Sequence, residues 1–164
     1  MEPLYTTQFA YTLDEYLKYN NAVLKSQKSF ITVYIMFSLS SFVLGAISYY
    51  MIKNTIFSIF FALFFFIVFT IEFPVVIKKS AKKAYYSNKT LDKNISNYEF
   101  FKDELKETNL HSVNVHKYSE LTKIIETKTN FYLMISNQQG YLIKKDNCSP
   151  ELITFLSELK NKIH

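Results

Sequence analysis

The sequence predicts an α+β membrane protein, in which a two-helix transmembrane hairpin is joined to a small antiparallel β domain with a C-terminal helix. Three observations predict this class. Residues 30–77 are almost continuously apolar, residues after 97 alternate with a period of two, and the last segment has the apolar spacing of a helix. Apolar runs of about 20 residues are long enough to cross a bilayer, and alternation is typical of half-buried strands.

The net charge of +5 comes from one short segment. Residues 78–89 contain five lysines and no acid, whereas acids and lysines balance in 1–29, 30–77 and 90–164. A basic protein is often a nucleic-acid binder. Here the excess is confined to the end of an apolar run, so we expect no nucleic-acid partner. The single cysteine, Cys148, excludes an internal disulfide and a cysteine metal cluster.

Two apolar runs, 30–52 and 55–77, are each long enough to span a membrane. Only Lys53 and Asn54 lie between them, which predicts a tight hairpin with both chain ends on one side. Two lysines, Lys25 and Lys28, precede the first run and four follow the second, whereas the turn at the far side has only Lys53. Because lysines stay on the cytoplasmic side, we expect both termini in the cytosol.

Small residues follow one face of the first predicted membrane helix, and two more lie on the second helix. Small side chains let helix backbones approach closely. The interpretation that we favour is packing within the hairpin, and the alternative is a face for a homodimer or another partner. The predicted helix-packing residues are Ser38, Ser41, Gly45, Ser48, Ser58 and Ala62.

Glu72 is the only acidic residue in the two apolar runs. An ionisable residue inside a membrane is a candidate functional site, for example for proton or ion coupling. Glu72 precedes Lys78 by about 9 Å of helix, however, which is close enough to the surface for its carboxylate to reach water or a lysine. Pro74 predicts a kink at the same place.

A basic helix is predicted over 78–97, directly after the second apolar run. Its lysines at 78, 79, 82 and 83 share one face. Such a cluster is first a topology signal, and it also attracts anionic lipid headgroups. The predicted lipid-contacting residues are Lys78, Lys79, Lys82 and Lys83.

The polar segments, 1–29 and 98–164, have short and regular patterns. Residues 4–11 alternate like a strand, and Thr12 with Glu15 forms a capping box before an amphipathic helix. Several strand-like runs separated by polar turns predict an antiparallel meander after 97. Ser149 and Pro150 then predict the start of a helix whose apolar face contains Leu152, Leu156, Leu159 and Ile163.

Three stretches carry a resemblance to a known family. They are "YTLDEYLKYN" before the hairpin, "YEFFKDEL" at the start of the meander and, most specifically, "YSELTKIIETKTNFYLMIS" at 118–136. In these stretches and in the order of its elements, the chain resembles the YcxB-like proteins of bacteria. The resemblance implies a PH-like β domain that the N-terminal strand joins. Together with the hairpin and its flanking lysines, it leads us to expect the chain in the bacterial cytoplasmic membrane. It implies no activity, and Tyr118 stands where the family pattern favours tryptophan.

The sequence gives no pattern for a catalytic or metal site. With two glycines the chain has no phosphate-binding loop and no nucleophile elbow. His111 and His116 would point to opposite faces of one strand, and Asn109, Asn114 and Asn130 look like turn or surface residues. We therefore expect no catalytic residues, no metal and no cofactor.

These patterns support three hypotheses. The leading one is a membrane-anchored, non-catalytic binding module that holds a protein partner, or the membrane surface, close to the bilayer. The alternative is a small accessory subunit of a transporter or envelope complex, which associates through the Ser38–Gly45 face. An enzyme is the third, and it would require polar groups that converge around His111, His116 and Asp146.

Overall fold

The protein consists of two compact units in a computed structural model that describes residues 2–88 and 95–163. Met1–Ser26 and Tyr85–His164 form one unit, the β unit, and Gln27–Ala84 forms the other, the hairpin unit. The residues before the hairpin thus belong to the same unit as the residues after it, whereas we had divided the chain into 1–29, 30–77, 78–97 and 98–164. The predicted basic helix over 78–97 is too long at its end, because the helix ends at Ser87 and a strand begins at Ile95. Residues 89–94 lie outside the described residues.

The elements combine helices with antiparallel strands, and this confirms the mixed fold. Four strands form one sheet in the order β1-β2-β3-β4, and three form another in the order β5-β6-β7. In chain order the elements are β1 (Tyr5–Ala10), α1 (Leu13–Ser26), α2 (Lys28–Ile52), α3 (Thr55–Ile67), α4 (Phe73–Ser87), β2 (Ile95–Phe100), β3 (Glu104–Thr108), β4 (Val113–Lys117), β5 (Lys123–Glu126), β6 (Asn130–Met134), β7 (Gly140–Lys144) and α5 (Pro150–Lys162).

Strand β1 confirms the alternation seen at the start of the chain. It pairs with β2 in antiparallel register, with Tyr5 opposite Phe100 and Ala10 opposite Ile95. Thr7 and Phe9 point into the unit and are buried, whereas Thr6, Gln8 and Ala10 are exposed. The two neighbouring strands β1 and β2 are therefore separated in sequence by the whole hairpin unit.

The stretch "YEFFKDEL" contains a chain reversal. Strand β2 ends at Phe100, the amide of Phe101 donates to the carbonyl of Glu104 at 2.9 Å, and β3 begins at Glu104. Lys102 and Asp103 occupy the exposed tip. This turn contains no glycine or proline and has strand-like residues on both sides, so the sequence pattern did not predict it.

The core of the β unit lies between the two sheets and α5. Strand β6 is fully buried because it is the central strand of its sheet. Helix α5 begins as predicted, with Ser149 Oγ accepting from the amide of Leu152 at 3.3 Å. Leu152 and Leu156 are almost completely buried, so the predicted apolar face of the helix covers the core.

The hairpin unit has the predicted two-residue turn. Helix α2 ends at Ile52, and Lys53 takes a left-handed conformation with φ of 56°, its amide donating to Tyr49 at 2.9 Å. Asn54 then begins α3, where its side-chain oxygen accepts from the amide of Phe57 at 3.0 Å. The two helices are therefore antiparallel neighbours.

A π-helical turn over Val68–Glu72 separates α3 from α4. It lies directly before Pro74, where we had predicted a kink. Proline has no amide hydrogen to give to the carbonyl four residues earlier, that of Thr70. In the structure the hydroxyl of Tyr34, on α2, donates to this carbonyl at 3.0 Å. A π-turn with an outside donor is one way in which a helix accommodates a proline.

Candidate functional site

The predicted small residues lie where α2 meets α3. Ser41 is fully buried, and Gly45, Ser48 and Ser58 are buried with it. A Cβ atom at Gly45 would lie 2.6 Å from the Cβ of Ala62, which is closer than two carbon atoms can approach. Ser38 is half-buried on the same helix, and its hydroxyl donates to the carbonyl of Tyr34. The small-residue face is thus used within the hairpin.

The outer surface of the hairpin is covered by large apolar side chains. Ile56 is 70% exposed, Phe60 is 68% exposed and Phe64 is 60% exposed. In the most apolar stretch of Lys28–Ile52, 11% of the residues are buried, and in that of Thr55–Ser87 none is buried. By length and composition, both helices are suited to cross a membrane.

The predicted lysine face lies on α4. All four of its lysines are exposed, whereas Ala81 is half-buried and Tyr85 is buried. Tyr85 belongs to the β unit, where its ring lies 5.5 Å from that of Tyr16. Glu72 is exposed at the end of the π-turn. Lys89 lies outside the described residues.

A buried polar pair joins two distant parts of the β unit. The side-chain amide of Asn130 donates to the Glu15 carboxylate at 2.6 Å, across 115 residues of sequence, and Lys18 contacts the other oxygen at 3.0 Å. Our expectation that Asn130 is a turn or surface residue is wrong, since it is completely buried. Half of the capping box forms, with Thr12 Oγ1 accepting from the Glu15 amide. The Glu15 carboxylate bonds Asn130 and Lys18.

A second buried carboxylate lies between the strands of the first sheet. Glu107 accepts from Ser96 Oγ at 2.7 Å and from the side-chain amide of Asn114 at 3.0 Å. Burial, together with the Glu107 charge, raises the pKa of Tyr11 to about 12. Burial and nearby charges also raise the pKa of Tyr98. These tyrosines stay neutral at physiological pH. Ser96, Glu107 and Asn114 form the hydrogen-bonded cluster beside them. Sequence reasoning missed it because its members are far apart along the chain.

The residues that an enzyme would require lie on different elements of the β unit. His111 lies in the β3–β4 turn, where we had expected a strand, and His116 contacts Glu120 at 3.2 Å. Asp146 pairs with Lys144 at 3.3 Å. Within residues 2–88 and 95–163, no group of three or more histidine, cysteine or acidic side chains could hold a metal ion.

Cys148 does not have the surroundings of a reactive thiol. It is half-buried, and its Sγ lies 3.2 Å from the carbonyl of Lys144. Burial raises the pKa of the thiol, which lowers the fraction of the nucleophilic thiolate at neutral pH.

Comparison with known proteins gives a family for one part of the chain. No curated protein and no solved structure matches the chain. Residues 100–159, from the end of β2 into α5, match the model of a family described as YcxB-like protein. This range contains 118–136, the most specific of the three stretches that carried the resemblance. The match therefore confirms, over residues 100–159, the YcxB-like family to which the sequence pointed.

Proposed function

We propose that the protein is a membrane-anchored, non-catalytic binding module. Its two membrane-crossing segments are α2 and residues 55–77, which run from α3 through the π-turn into α4, and they cross the bacterial cytoplasmic membrane. The observation that carries this proposal is the outward-facing apolar surface of both helices. A core helix of a soluble protein would bury its large apolar side chains, but here the buried residues are serines and a glycine. Exposure to water costs about 25 cal/mol per Å² of apolar surface, and a bilayer removes that cost.

The distribution of lysines supports the orientation of the hairpin. Lys25 and Lys28 precede α2 or begin it, and the exposed lysine face follows on α4, whereas Lys53 is at the turn. Lysines are retained on the cytoplasmic side. The β unit, with both of its chain segments, then lies in the cytosol.

The architecture of the β unit supports the PH-like domain that the resemblance implies. A four-stranded and a three-stranded antiparallel sheet are followed by a C-terminal helix, and β1 from the start of the chain completes the first sheet. A binding module is favoured over an enzyme because the buried acids, Glu15 and Glu107, are held by amide and hydroxyl donors.

The lysine face of α4 supports contact with anionic lipid. Each lysine near a negatively charged membrane surface contributes about 1 kcal/mol of attraction. Replacing Lys78, Lys79, Lys82 and Lys83 by glutamine should reduce the number of anionic phospholipids that stay bound in native mass spectrometry of the detergent-extracted chain. An unchanged number would leave these lysines as topology signals only.

Single-cysteine labelling tests the membrane placement. In a Cys148→Ser background, Lys53→Cys should react with a membrane-impermeant maleimide in intact cells. Lys128→Cys, exposed on the turn between β5 and β6, should react only after lysis. Labelling of both positions in intact cells, or recovery of the chain in the soluble fraction, would contradict the proposed hairpin.

Purification from native membranes in mild detergent tests the binding role. A stoichiometric protein partner is the expected result, and recovery of the chain with lipid alone would contradict the protein-binding role. An accessory subunit that associates through the small-residue face is not proposed, because α3 already packs against that face.

A further inference from the structure

A groove lies on the β unit between three segments that are distant in sequence. Its walls come from the β2–β3 turn, from the end of β4 with the residues that follow, and from α5, and its volume is about 360 Å³. The lining residues used below are Lys102, Lys117, Tyr118, Phe155, Leu159 and Lys162. All of them belong to one compact unit.

The floor of the groove is aromatic and held in place. The ring of Tyr118 lies 5.9 Å from that of Phe155 in an edge-to-face arrangement. The Tyr118 hydroxyl donates to the carbonyl of Phe101 at 2.9 Å, and its amide donates to the carbonyl of Asp103 at 3.0 Å. Tyr118 is thus anchored at both ends and offers a preformed apolar surface, which lowers the cost of ordering on binding.

The rim of the groove carries three lysines with a common property. Within the described residues, Lys102, Lys117 and Lys162 form no ion pair. Some other lysines of the β unit are paired, such as Lys145 and Lys160, which contact Glu126 at 2.7 and 2.9 Å. Three further lysines of the described part of the unit also lack an ion pair, but none of them lines the groove. The groove therefore brings three unpaired lysines together.

Two carboxylates, Asp103 and Glu158, also line the groove. Their oxygens would repel any anionic group that came close, but they can accept hydrogen bonds from the backbone amides of an extended peptide. A phosphate dianion offers acceptors only, whereas an acidic peptide offers carboxylates to the lysines and N–H donors to Asp103 and Glu158. The combination of lysines, carboxylate acceptors and an aromatic floor thus favours a peptide over a phosphorylated lipid headgroup.

We propose that this groove binds an extended acidic segment of a partner protein, with one aromatic or aliphatic side chain against the Tyr118–Phe155 floor. Its carboxylates contact the three rim lysines, and its backbone amides contact Asp103 and Glu158. The inference rests on the proposed binding role and adds to it the surface and the chemistry of the partner.

The test uses the full chain in zwitterionic detergent and three pools of fluorescent hexapeptides. The first pool contains aspartate and glutamate around a central phenylalanine or leucine. The second replaces the acids by their amides, and the third replaces the central residue by serine. Fluorescence anisotropy should show about tenfold tighter binding of the first pool than of either other pool, with a loss of affinity as salt is raised.

The variant Lys102→Gln, Lys117→Gln, Lys162→Gln should weaken binding of the first pool by about tenfold. The matched control, Lys25→Gln, Lys123→Gln, Lys128→Gln, removes three lysines that also lack an ion pair among the described residues and do not line the groove, and it should bind within about twofold of the wild type. Both variants change exposed or partly exposed lysines, so circular dichroism should show the same fold.

Three results would overturn the inference. The first pool could fail to bind, both triple variants could weaken it equally, or glycerol 3-phosphate could displace it, which would indicate a phosphate site. If a partner co-purifies with the wild type and equally with the Lys102, Lys117 and Lys162 variant, the groove inference fails while the proposed binding role stands. If no partner co-purifies and no pool binds, both fail.

Discussion

The two units of this protein bury their surfaces in opposite ways. In the β unit, large side chains such as Phe131, Leu133 and Leu156 are buried. In the hairpin unit, the contact between helices is made by serine, glycine and alanine, and the large side chains face outward. Exclusion of water favours the first arrangement, whereas the second, with small residues between closely packed backbones, is typical of helices that pack in an apolar surrounding. The two units thus differ in which side chains they bury.

The largest expected effect comes from removing a core side chain of the β unit. Leu156→Ala should lower the free energy of unfolding by about 2–5 kcal/mol, because a fully buried leucine leaves a cavity. Denaturant unfolding in detergent, followed by near-UV circular dichroism of the tyrosines, measures this effect. Phe64→Ala, at a side chain exposed on the hairpin, is the control and should leave the transition of the β unit unchanged. Equal losses would show that the hairpin also packs its large side chains internally.

Adding a single methyl group at the contact between α2 and α3 should destabilise the hairpin unit. Gly45→Ala places a methyl group 2.6 Å from the Cβ of Ala62 and should cost about 1–3 kcal/mol through overpacking. Helicity during titration with a denaturing detergent measures it. The double change Gly45→Ala, Ala62→Gly moves the methyl to the other helix and should restore most of the loss. Without restoration, the close contact of α2 with α3 would be in doubt.

The buried polar pair tests how the two chain segments of the β unit are held together. Glu15→Ala leaves the side-chain amide of Asn130 buried without its acceptor, at a cost of about 1–3 kcal/mol. Asp14→Ala removes the neighbouring carboxylate, which is exposed and also contacts Lys18, and should cost less than about 0.5 kcal/mol. Thermal unfolding measures the loss of stability in each variant. Similar losses in the two variants would mean that the Glu15–Asn130 contact does not stabilise the β unit.

The smallest expected effect depends on pH. Hydrogen bonds from Lys145 and then Lys160 lower the pKa of Glu126, so this carboxylate stabilises the fold above its unfolded pKa and loses that contribution as pH falls through its folded pKa. Glu126→Gln should cost up to about 1 kcal/mol at pH 7 and nothing once the carboxylate is protonated in both states. Melting temperatures between pH 3 and pH 7 measure this difference. Glu158→Gln, which changes an exposed carboxylate on α5, is the control.

Local patterns determined much of this protein from the sequence alone. The apolar runs, the two-residue turn at Lys53 and Asn54, the alternating β1 and the Ser149 cap all depend on neighbouring residues, and the structure contains each of them. The small residues at the α2–α3 contact could also be predicted from the sequence, because helical spacing places them on one face.

Only the tertiary structure decided what distant residues do together. It pairs β1 with β2 across the whole hairpin, joins Glu15 to Asn130 and brings Tyr34 to the carbonyl of Thr70. It also assembles the groove from three separate segments. The physical reason is that periodicity and capping are properties of adjacent residues. A contact between distant residues depends on how the whole chain closes, and neither partner carries a local signal for it.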